Sequence, residues 1–105
     1  MNAQFPASPG PTPPDTGQDP LLAWIGQTVI LDTQGPLLYI GTLEHASAGF
    51  LVLIDADVHH AGDSRSTREF YLAQAHDVGV HVNRARVLIA RPQIASVSLL
   101  SAVRS

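Results

Sequence analysis

Residues 21–58 read LLAWIGQTVILDTQGPLLYIGTLEHASAGFLVLIDADV, and this stretch decides the fold. Leu21, Leu22, Trp24 and Ile25 make a mostly apolar turn and a half of helix, which Gly26 stops. Asp19 stands at the N-cap position, and Pro20 at the first helical position, where its missing N–H is no loss. Gln27–Thr33 is a strand, rich in β-branched Thr28, Val29, Ile30 and Thr33. Gln34-Gly35-Pro36 turns the chain into a second strand, Leu37–His45, interrupted by Gly41. Glycine weakens a strand unless the strand bends there or another backbone passes close. A small barrel demands such bending, so Gly41 reads as a corner. Ser47-Ala48-Gly49 makes the next turn, and the apolar run Phe50–Ile54 suits a strand buried on both sides. Three strands and a helical turn within 38 residues point to a small, strongly bent β-barrel, a class that includes SH3-like and OB barrels. Trp24 is expected to seal one end of it.

Asp55–Asp63 is polar and holds His59-His60. Ser66 and Glu69 have capping-box spacing, no proline interrupts residues 70–78, and Gly79 is a good stop, so a helix is expected at Thr67–Gly79. Tyr71, Ala75 and Val78 would share a face and pack across one mouth of the barrel. Arg86–Ala90 reads as a fourth strand, Arg91-Pro92 as a break and Ile94–Leu100 as a fifth strand. Residues 1–18 are dominated by proline, glycine, serine and threonine and read as a disordered tail before a single domain at 19–105, with an insertion at about 59–82.

The chain has 105 residues and is 45% hydrophobic, which suits one small domain with a thin core that partner chains would help to stabilise. It has no cysteine, so disulfides and thiolate metal sites are excluded. Residues 1–18 carry no basic residue and no apolar run, and no stretch approaches the ~18 apolar residues needed to span a membrane. The expectation is a soluble, cytoplasmic protein. Net charge is −3, but all nine acids lie within residues 1–77, whereas residues 78–105 hold Arg84, Arg86, Arg91 and Arg104 and no acid. Such asymmetry can mark a surface for an anionic partner.

His45, His59, His60, His76 and His81 fall among Asp55, Asp57, Asp63 and Asp77, yet in no recognised metal-ligand spacing. There is no nucleophile elbow and no glycine-rich phosphate loop. No catalytic residue, metal or cofactor is therefore assigned, and a non-enzymatic role is expected.

Leu21, Leu22, Gly26, Val29, Leu31, Gly35, Tyr39, Gly41, Leu43, Leu51, Leu53 and Asp55 resemble the first motif of the Sm-like (LSm) family, a glycine-turn hairpin followed by a tyrosine-x-glycine-x-leucine strand. Asn83-Arg84-Ala85-Arg86-Val87-Leu88-Ile89 resembles a degenerate second motif, and the arrangement with its inserted helix resembles bacterial members of the group. The resemblance implies a five-stranded barrel that assembles into homo-oligomeric rings through the edges of its fourth and fifth strands, and that contacts RNA. Family members that bind uridine-rich RNA carry an aspartate and an asparagine in the turn after the second strand. Here that turn is His45-Ala46-Ser47-Ala48-Gly49-Phe50, and Ser47 is the nearest polar stand-in. The second motif's arginine-glycine pair becomes Arg84-Ala85. The implied RNA contacts are Arg84 and Arg86 on phosphates, with Ser47 beside them; the alternative is an Sm-fold scaffold for protein partners that has lost RNA readout.

Overall fold

In a computed structural model that describes residues 19–60 and 67–104, five antiparallel strands form one bent sheet in the order β4-β3-β2-β1-β5. They are β1 (Thr28–Thr33), β2 (Leu37–Ala46), β3 (Phe50–His60), β4 (Arg84–Ala90) and β5 (Ile94–Leu99). A helix, α1 (Thr67–Val78), lies between β3 and β4, so the described residues are mainly β with one inserted helix. The expected tail at 1–18 and the Ser66 cap lie outside the described residues. No described helix is long and apolar enough to cross a membrane.

The opening helix is a 3-10 turn, Pro20–Trp24, capped as the sequence predicts: Leu21 N–H donates to Asp19 Oδ1 at 3.0 Å. Trp24 packs against the barrel interior. Gln34 N–H, just after β1, donates to the carbonyl of Gln93, just before β5, at 2.8 Å, which carries the β1–β5 pairing one step past Thr33 and Ile94.

Two bulges set which side chains point where. The β2–β3 register slips between Ile40 and Thr42, and again between Leu43 and His45. At the first slip Asp55 is the extra residue, with φ of 50°, a left-handed conformation that aspartate tolerates better than most side chains. Gly41 lies opposite it, where a Cβ would sit 2.9 Å from Ala56 Cβ. The corner at Gly41 is thus a place of close backbone approach. Because side chains alternate along a strand, one extra residue reverses the facing of every later one. Leu51 and Leu53 point into the barrel; beyond the bulge it is Ala56 that does so, and Asp57 turns to the outer face.

The interior core is Val29, Leu31, Leu43, Ala46, Leu51, Leu53, Ala56 and Ile89. A second core lies on the outside of β1 and β2, where Ile30, Leu38 and Ile40 meet Ala75 of α1 and Leu100 of a C-terminal 3-10 turn. Here the structure corrects four expectations. The helix covers the outer face of the sheet, not a barrel mouth. Its packing face is Tyr71, Leu72 and Ala75, because Val78 overhangs the sheet at the helix end and is 76% exposed. The strand buried on both faces is β1, through Val29, Ile30 and Leu31; in β3 the covering helix does not reach Phe50, which stays 47% exposed. β3 itself runs on to His60, well past the expected end at Ile54, because β2 continues to pair with it as far as Leu37 opposite His60.

Candidate functional site

The turn between β2 and β3 and the turn between β4 and β5 meet at one rim of the barrel. Ser47 closes the first: its N–H donates to the Phe50 carbonyl at 2.9 Å, and its hydroxyl accepts from Phe50 N–H at 3.2 Å. The second is a 3-10 turn, Arg91–Gln93. Its first residue bridges the two, since Arg91 N–H donates to Gly49 O at 2.9 Å and Arg91 Nη1 to Ser47 O at 2.8 Å.

The same guanidinium grips Asp19 with both forks: Nη1 donates to Oδ2, and Nη2 to Oδ1 at 3.0 Å. This bidentate geometry is the strong form of the arginine–carboxylate contact. Hydrogen bonds from Arg91, and then from Leu21 N–H, hold the Asp19 carboxyl below its ordinary value. Three elements distant in sequence, the entry turn, the β2–β3 turn and the β4–β5 connection, are thereby tied at one arginine.

Of the residues assigned to RNA from sequence, only Ser47 lies here. Arg84 pairs across from Ala56 and Arg86 across from Ile54, whereas Ala90 faces Phe50 at the rim. At ~3.3 Å per strand residue, Arg84 lies about 20 Å from the Ser47 turn. Arg86 Nη2 forms an ion pair with Glu44 at 3.0 Å. Arg84 Nη1 donates to the Asn83 carbonyl at 2.9 Å, and among the described residues it has no carboxylate partner. The basic C-terminal segment is therefore much less basic in space than in sequence. Arg91, the residue that meets Ser47, reads in the sequence only as part of a strand break. Its one signal there is an arginine immediately after an apolar strand.

A second polar constellation sits on the outer face, beyond the Asp55 bulge. Asp57 is only 8% exposed. Tyr71 Oη–H of α1 donates to its Oδ2, and Asn83 Nδ2 donates to its Oδ1 at 2.7 Å. Asn83 also extends the sheet, accepting from Val58 N–H at 3.0 Å and donating its own N–H to Ala56 O at 2.9 Å. Burial, and then the hydrogen bond to Asp57, push the Tyr71 phenol far above its ordinary value, so it stays a neutral donor. The His59 ring stacks on Tyr71 with centroids 3.9 Å apart and planes 12° from parallel. No three histidine and carboxylate side chains among the described residues stand together as metal ligands.

No family profile and no curated protein sequence matches the chain. Solved structures do. An Sm protein of Pyrococcus abyssii, in complex with a uridine heptamer, matches 78% of this chain and 99% of its own at 15% identity, with a TM-score of 0.54. A chain of the NatC complex bound to CoA matches 79% of this chain and 87% of its own at 18% identity, with a TM-score of 0.52. A chain of the NatC complex bound to Gag peptide and CoA matches 75% of this chain and 89% of its own at 18% identity, with a TM-score of 0.51. At such identities the likeness establishes the fold: an Sm-like β-barrel carrying an inserted helix.

Proposed function

We propose that this protein is a non-enzymatic, RNA-associated Sm-fold oligomer that engages RNA at the rim where Ser47 and Arg91 meet. The observation that carries this reading is the fixed Arg91 guanidinium between the β2–β3 turn and the β4–β5 connection. With Asp19 on its forks, Arg91 offers RNA a flat stacking surface more than a bare charge, and guanidinium planes stack well on unpaired bases. Phosphate attraction then falls to Arg84, with Arg86 partly offset by Glu44. The Sm protein similar to this chain is in complex with a uridine heptamer, which supports looking for single-stranded RNA. The open edges of β4 and β5 support assembly, because each end of the sheet leaves one row of backbone groups for a neighbouring copy.

Fluorescence anisotropy with labelled oligouridine and oligoadenine at two salt concentrations tests the proposal. Arg91→Ala should weaken binding about tenfold or more, Arg91→Lys should restore little of it, and Arg84→Ala should mainly flatten the salt dependence. Absence of binding by the unaltered protein at low salt would overturn it.

One observation favours the alternative of a protein-assembly module. The outer face of β3 and β4 leaves Phe50 47% and Leu88 58% exposed, with Val52 paired to Leu88 between them. Adjacent exposed apolar side chains of this kind mark contact surfaces.

A further inference from the structure

A cleft of about 610 Å³ opens between the far end of β3, α1 and the connection running from Gly79 to Asn83. It lies on the outer face, next to the second core and apart from the rim. Its volume falls in the range of small-molecule sites. At its floor is the Asp57 carboxylate, fixed by Tyr71 and Asn83, with lone pairs left over on both oxygens. The stacked His59–Tyr71 pair lines it, and Ala75 and Val78 of α1 give it an apolar wall. Gln74 and His81, both exposed, bring an amide and an imidazole to its edge.

These features select among ligands. A buried, hydrogen-bonded carboxylate at the floor opposes a phosphate or carboxylate there and accepts N–H donors. Stacked rings and an apolar wall favour a flat partner. An amide at the edge can both donate and accept, as base edges require. We propose that the cleft binds an amino-bearing nucleobase (cytosine, adenine or guanine), flat against the His59–Tyr71 pair, with its amino N–H on Asp57 and its remaining edge on Gln74. The proposal leans on the RNA reading only for the source of the base, which is either a nucleotide of bound RNA or a free nucleotide.

Amide-resolved NMR of the full chain tests it. CMP, AMP, GMP, UMP and ribose 5-phosphate are each titrated to about 10 mM, following the backbone amides of Gln74, Gly79 and His81. The first three should give saturable shifts at those amides. UMP should bind about fivefold or more weakly, and ribose 5-phosphate should leave the cleft unmoved. Gln74→Ala and His81→Ala, at exposed positions, should each weaken CMP binding severalfold without lowering the thermal midpoint. The inference fails if no mononucleotide shifts the cleft amides, if ribose 5-phosphate shifts them as CMP does, or if the double variant binds CMP unchanged.

Oligonucleotide arms separate the two sources and the two sites. Oligocytidine binding that weakens in Gln74→Ala assigns the base to RNA, whereas CMP binding without it assigns a free nucleotide. Cleft shifts that persist in Arg91→Ala, after oligouridine binding is gone, leave both readings standing. Oligouridine binding together with cleft amides unmoved by CMP, AMP and GMP overturns this one alone.

Discussion

A methyl group added at Gly41 would stand 2.9 Å from Ala56 Cβ, 3.0 Å from Ala56 Cα and 3.1 Å from Ile54 O, so the β3 backbone itself would have to move. Gly41→Ala is expected to destabilise the protein by about 1–3 kcal/mol, read as a lower urea midpoint, and adding Ala56→Gly should restore only part of it because the backbone contacts remain. This glycine is legible in the sequence, since it interrupts an otherwise apolar strand. Asp57 is not. Its outward turn depends on the extra residue at Asp55, and nothing in the string Asp55-Ala56-Asp57 announces a bulge; its partners Tyr71 and Asn83 come from 14 and 26 residues away. Tyr71→Phe should cost about 1–3 kcal/mol at neutral pH by removing a donor from a buried carboxylate. The sign of its pH effect is set by the raised phenol. In the unfolded chain Tyr71 ionises near its ordinary 10.0, while the fold keeps it protonated. Its contribution is therefore complete below pH 10 and declines as pH rises beyond it. Urea midpoints from pH 7 to 11 should fall less steeply in Tyr71→Phe than in the unaltered protein.

The entry turn and α1 show how separate elements are pinned to the barrel. Asp19→Asn should break the bidentate grip on Arg91 and free Pro20–Trp24, seen as faster hydrogen exchange at the Leu22 and Gln27 amides, which now donate to Asp19 O and Trp24 O. Because the Asp19 carboxyl is depressed, its contribution is intact at neutral pH and is lost only as pH falls below the ordinary 3.8, through its lower folded value. The cap itself is readable from Asp19-Pro20; its ion pair is not, because an arginine 72 residues away meets it only once β4 has paired with β3. For α1, Gly79 correctly marks the end, and Gly79 N–H donates back to Ala75 O at 2.9 Å. Its destination escapes the sequence because periodicity reveals which side of a helix is apolar but not which sheet face receives it. Arg68, in ion pair with Asp32 of β1, ties down one end and Tyr71 the middle. Ala75→Asp would place an unpaired charge against Ile30, Leu38 and Ile40. It should undock α1 at a cost of about 3 kcal/mol, with α1 amides losing exchange protection before those of β1 and β2.

At the scale of the molecule, a sheet that bends through Gly41 and wraps its strands around one interior core still has β4 and β5 each hydrogen-bonded on one side only. The barrel is legible because short strands, turn residues and one bend glycine admit few closed arrangements. Edge exposure is a different matter, since Pro92 raises the expectation of a blunted edge. In the folded chain Pro92 lies in the 3-10 turn between the two edge strands and blocks neither. Leu88 stands on β4 at 58% exposure, an apolar side chain on an edge strand, where an isolated monomer would be better served by a charge. If copies pair through these edges, light scattering should give a whole-number multiple of 11.2 kDa. Leu88→Lys should then reduce the mass to 11.2 kDa and lower the thermal midpoint, because subunit contacts that add to a thin core are lost with it. A mass of 11.2 kDa for the unaltered protein at about 100 μM would mean the edges stay open, and the RNA rim would act one copy at a time.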